Sequence, residues 1–130
     1  VWPEQEARRE RLSRAIDVAR ADPPLLTTGD LLVDLPRLVE EAAAAGPVVL
    51  FHSAVVAYLE PEQRRTFDAL VRSLVADGAC HWISNEAQGV LPSVLREPPD
   101  PDDPRFALAV DGEVVALTHG HGRTLHWLER

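Results

Sequence analysis

The sequence predicts an α/β domain on a mixed sheet, mostly parallel, with helices on its faces and an antiparallel hairpin near its C-terminal end. Three observations carry this. Pro47-Val48-Val49-Leu50-Phe51 is a short apolar run that ends in the polar pair His52-Ser53, the pattern of a strand buried on both faces. After Ala54 to Leu59, Phe67, Leu70, Val71, Leu74 and Val75 recur at helical spacing behind Pro61, and a second strand candidate, Cys80 to Ser84, begins once Gly78 has stopped the helix. Strand, crossover helix, strand makes a right-handed βαβ unit with parallel strands. Finally, Asp111-Gly112 stands between Phe106 to Val110 and Glu113 to Thr118, the dipeptide that two-residue hairpins favour.

Taken in order, Pro3 to Ala21 reads as a helix with a thin inward stripe of Leu12, Ala15, Ile16 and Ala19. Glu4 with Arg8 and Glu10 with Arg14 stand four apart on its solvated faces. Asp22-Pro23-Pro24 ends it, because proline cannot continue the ladder and pushes the preceding residue out of the α region. Leu25 to Thr28 is a weak strand candidate with Gly29-Asp30 as its polar exit. Asp34 and Pro36 open a second helix, whose Leu35, Leu38, Val39 and Ala42 share a face and which Gly46 closes. Asn85 to Leu95 has no decided period, Glu97 to Pro104 is an acidic, proline-dense loop, and Thr124 to Leu128 alternates enough for a last short strand.

The 130 residues suit one domain with one core. A formal charge of −8 disfavours a nucleic-acid partner held through phosphates, since the positive charges do not cluster. There is no lysine, a bias that fits a GC-rich genome, and the absence of methionine suggests a processed or truncated piece of a longer protein. One cysteine, Cys80, rules out an intrachain disulfide and suits a reducing compartment. No apolar run approaches the roughly 20 residues of a membrane helix, and no signal peptide is recognisable, so the expectation is a cytoplasmic protein with no membrane partner.

In open sheets of parallel strands, ligands bind at the carboxyl ends of the strands. That rule selects Gly29-Asp30, His52-Ser53 and Ser84-Asn85-Glu86 as one polar edge. Asp30 reads either as an acceptor for a ligand amino group or as a turn residue that satisfies nearby backbone donors. His52 with Ser53 reads as an acid–base pair or as a hydrogen-bonded structural pair, with no partner carboxylate close by in sequence. Tyr58 covers a pocket or only packs its ring. His119 and His121 share a face of an extended segment and, with His126, resemble part of a metal site, but no third ligand follows at a characteristic spacing and no metal is assigned. Cys80 reads as a small core residue.

Leu26-Thr27-Thr28-Gly29-Asp30, Val48 to Ser53 with Tyr58 to Arg65, and Leu74 to Gly78 together resemble the C-terminal half of class I S-adenosylmethionine-dependent methyltransferases. More narrowly, the wording from Val1-Trp2-Pro3-Glu4-Gln5 through His121-Gly122-Arg123 is similar to a bacterial family of unknown function. The methyltransferase resemblance implies a three-layer, Rossmann-like sheet that lacks its N-terminal strands. It implies S-adenosylmethionine as the cofactor of the full-length protein, with Gly29, Asp30 and His52 as its contacts and His52 and Ser53 as the catalytic candidates. The glycine-rich loop and the acidic ribose-binding residue of that superfamily have no counterpart, nor has its Asn/Asp-Pro-Pro-Tyr signature, so this chain alone is expected to be inactive and to bind the cofactor poorly. Two functional expectations follow. One is methyl transfer to an unknown small-molecule or protein acceptor; the other is a non-catalytic dimerisation or interaction domain. On both, the chain is expected to form a homodimer through an exposed sheet edge or through the first helix.

Overall fold

The computed structural model describes residues 5–94 and 104–129. Its elements run α1 (Glu6–Ala21), α2 (Leu31–Ala43), β1 (Val49–Ser53), a 3-10 turn (Val56–Tyr58), α3 (Pro61–Ala76), β2 (His81–Ala87), β3 (Phe106–Val110), β4 (Glu113–Thr118) and β5 (Leu125–Trp127). The five strands form one sheet in the order of the sequence.

The βαβ unit is present. β1 and β2 pair in parallel, Val49 opposite His81 through Ser53 opposite Asn85, with α3 between them in the chain. Pro61 takes the first position of α3, where a missing N–H costs nothing, and Gln63 accepts the Glu60 N–H at 2.9 Å. The hairpin turns at Asp111-Gly112, both residues at positive φ (51° and 89°), as a tight two-residue connection requires.

The rest of the sheet corrects the expected architecture. β2 with β3, β3 with β4, and β4 with β5 are all antiparallel, so three of the four pairings oppose a mostly parallel, Rossmann-like sheet. The two connections after β3 are too short for a crossover, which leaves antiparallel pairing as the only outcome. Leu25 to Thr28 is not a strand: Leu25 and Leu26 are 94% and 87% exposed, and the segment leads into α2. Asp30 caps α2, accepting the Leu32 N–H at 2.8 Å, while Asp34 accepts the Asp30 N–H at 2.8 Å. That reciprocal pair starts the helix several residues ahead of Pro36, which lies inside it. A side chain at Gly29 would push aside the Asp34 carboxylate that accepts the Asp30 N–H. The acidic loop and the start of the first helix fall largely outside the described residues.

A single core lies on one face of the sheet. Leu35 and Val39 of α2, Phe67 and Val71 of α3, Val56, Leu91 and Val94 pack against Trp82, Ala107 and Ala109. In β2 Trp82, Ser84 and Glu86 are buried and alternate with more accessible neighbours, and cross-strand partners share a side. The opposite face therefore carries Val49, Phe51, Ile83, Leu108 and Val110, joined at the far side by Leu125 and Trp127. Phe51 is 71% exposed and Trp127 64%, and no residue of α1 is buried. β1 is thus an edge strand with one open face, where its apolar run suggested burial on both. The domain has two layers, helices on one side of the sheet only.

Candidate functional site

The carboxyl ends of β1 and β2 do bring two of the three expected polar groups together. His52 and Glu86 lie on the helix-covered face with ring and carboxylate in contact, His52 Nδ1 2.8 Å from Glu86 Oε1. The same oxygen accepts the backbone N–H groups of Val55 at 2.9 Å and Val56 at 3.1 Å. Trp82 donates its indole N–H to His52 Nε2 at 3.0 Å. An indole nitrogen can only donate, so Nε2 carries the lone pair and the proton sits on Nδ1. His52 is thereby a neutral ring with both nitrogens committed, and its contact with Glu86 is a charge-assisted hydrogen bond rather than an ion pair. Phe67 packs edge-on to the imidazole, with centroids 5.2 Å apart, and closes the site from α3.

Glu86 is 2% exposed. Burial raises its pKa, but the hydrogen bonds from His52, Val55 and Val56 outweigh it and hold the carboxyl below its ordinary value. It stays ionised at neutral pH and anchors the chain that leaves β1. That exit is tight: Ala54 adopts φ 54°, a region costly for a residue with a Cβ, and donates its N–H to the Asn85 carbonyl at 3.1 Å. Arg64 completes the clamp from α3 by donating to the carbonyls of Leu59 and Ala57. Three donors converge on Oε1 and stabilise the buried charge, whereas Glu86 Oε2 and the neighbouring Ser84 Oγ are buried with no hydrogen-bond partner among the described residues.

Ser53 and Asn85 face the other way, onto the open face. Asn85 donates to Ser53 Oγ at 3.0 Å and accepts from Thr118 Oγ1 at 2.6 Å, a polar strip across the sheet. His52 and Ser53 are thus separated by the sheet itself. Gly29 and Asp30 belong to a third place, a cleft of about 180 Å³ lined by Thr27, Asp30, Asp34, Leu35 and Leu38, with no residue of β1 in its lining. Tyr58 is exposed, Cys80 is buried at the start of β2, and burial together with the nearby Asp111 carboxylate raises its thiol pKa. His119 and His121 have ring centroids 5.6 Å apart, with the His121 N–H donated to His119 Nδ1, and His126 lies on β5. Among the described residues no three His, Cys, Asp or Glu side chains come together as a metal site, and no helix is long and apolar enough to cross a membrane.

Sequence reasoning placed Glu86 on the polar edge but missed that it partners His52, 34 positions away. Strand alternation held the signal: once β1 and β2 are parallel and in register, His52 and Ser84 are opposite and Glu86 is two residues along on the same side.

A family model described as "Uncharacterized protein conserved in bacteria (DUF2332)" matches residues 1–127. The chain belongs to that family. Neither the curated proteins nor the solved structures contain a match to it. Family membership carries no activity with it, and the reading of this DUF2332 chain rests on its own geometry.

Proposed function

We propose that the chain is a non-catalytic dimerisation module, cytoplasmic, whose open sheet face seats a second copy. The observation that carries this reading is the contrast between the two faces of the sheet. One is sealed by α2, α3 and the buried His52–Glu86–Trp82 network; the other leaves Val49, Phe51, Val110, Leu125 and Trp127 exposed across several strands. Single exposed apolar residues need no explanation, but several large ones on one face of a sheet mark an interaction surface. The neutral, doubly bonded His52 supports the same reading, because it offers neither a free base nor a free donor to a substrate.

Methyl transfer from S-adenosylmethionine, suggested by the resemblance to the methyltransferase superfamily, is the weaker reading. Asp30 spends its carboxylate on the cap of α2, Gly29 is packed against Asp34, and His52 lies in a different, closed site. These residues do not form one pocket that fits the cofactor.

Light scattering after size exclusion tests the proposal. The wild-type chain is expected to elute as a dimer at micromolar concentration and Phe51→Glu, on a side chain that is exposed in the free chain, as a folded monomer. A wild-type monomer throughout that range refutes it.

A further inference from the structure

Resting on the dimerisation reading, we infer that the element of the second copy that covers the open sheet face is α1, exchanged reciprocally between the two chains. A helical wheel of α1 puts Leu12, Ala15, Ile16 and Ala19 on one stripe. Arg9 and Arg11 flank that stripe and Arg8 lies in line with it one turn ahead of Leu12, whereas Glu6, Glu10 and Asp17 gather on the opposite side of the helix together with Arg14. Leu12 and Ile16 are 47% and 40% exposed, so the stripe has no full cover within its own chain.

The sheet presents the complementary surface. Its apolar residues, Phe51, Leu108, Val110 and Trp127, share one side with Glu113, which the register with Val110 places on that same face. The chain as a whole carries −8, so a helix whose apolar stripe has an arginine rim meets an oppositely charged body. The dimensions also agree. Sixteen residues of helix span about 24 Å, and five strands span about 19 Å between the outer two. One α1 therefore crosses the whole sheet. Helices on both faces are the ordinary way to bury a sheet of this composition, and exchange supplies the second layer that a single copy lacks. The operation is a two-fold, isologous contact, in which α1 of each copy meets the sheet of the other.

Thiol cross-linking tests the assignment. Ile16→Cys and Phe51→Cys are made as separate single variants, mixed after brief unfolding and refolding together, and treated with a short bismaleimide; the native Cys80 is buried and serves as the internal silent thiol. The expected product is a covalent dimer that joins one chain of each variant, at least tenfold more abundant than either self-linked dimer, and Leu12→Glu added to both variants is expected to abolish it. Two results overturn the assignment while leaving dimerisation standing: Phe51–Phe51 links as the main product, or efficient monomeric closure in the Ile16→Cys/Phe51→Cys double variant. Absence of any dimer by light scattering overturns both.

Discussion

Replacing Glu86 with leucine removes the single acceptor that satisfies three donors, and the structure sets the size of the effect. Two of those donors, His52 Nδ1–H and the Val56 N–H, belong to residues with almost no exposed surface, while Val55 lies nearer to solvent. Each buried donor left without a partner costs about 1–3 kcal/mol. Relief from burying a carboxylate recovers part of this, so the expected loss for Glu86→Leu is about 3 kcal/mol. Glu86→Gln keeps an acceptor oxygen but loses the charge, and is expected to cost about 1 kcal/mol. Urea unfolding followed by tryptophan fluorescence reads both; with a slope of about 2 kcal/mol per molar, the leucine variant shifts the midpoint by about 1.5 M. A leucine variant as stable as wild type would refute the claim that this carboxylate anchors the exit of β1.

Acid titration offers an independent check. The Glu86 pKa is lower in the folded chain than its ordinary 4.5, so its contribution is fully present above 4.5 and is lost as pH falls through the folded value. Wild-type stability should drop in that range more steeply than that of Glu86→Gln, and parallel profiles would contradict the assignment. Ala54→Gly should raise stability by about 1 kcal/mol, because glycine occupies φ 54° without the penalty paid by a Cβ; a lower thermal midpoint would mean that the alanine methyl packs more than it strains. S-adenosylmethionine titrated into the chain by calorimetry should give no binding heat, and clear micromolar binding would restore the methyltransferase reading.

The sequence made the local elements legible where period and punctuation agreed. Pro61, the apolar recurrence from Phe67 to Val75 and Gly78 delimit α3 closely, and Asp111-Gly112 locates the hairpin because only a few residues tolerate its backbone. The partners of the strands were not legible. An apolar run such as Val48 to Phe51 reads the same whether its second face is covered by its own helices or by another chain, which is why burial on both faces was expected and an exposed Phe51 observed. Leu25 to Thr28 has strand-like residues, but strand formation is a pairing event, and the reciprocal hydrogen bonds between Asp30 and Asp34 commit the following residues to α2 instead. Of the candidate site, the polar strand ends were visible and the link from His52 to Glu86 was not, because it depends on the register of two strands about thirty residues apart.

An isotope-filtered NMR experiment on a one-to-one mixture of labelled and unlabelled wild-type chains, refolded together, tests the dimer and its exchanged helix most directly. Contacts between the Ile16 and Leu12 methyl groups of one chain and the Phe51 and Trp127 rings of the other are the expected result. If those rings show no contact across chains, or meet only the methyl groups of their own chain, the open sheet face is not the seat of a second copy's α1.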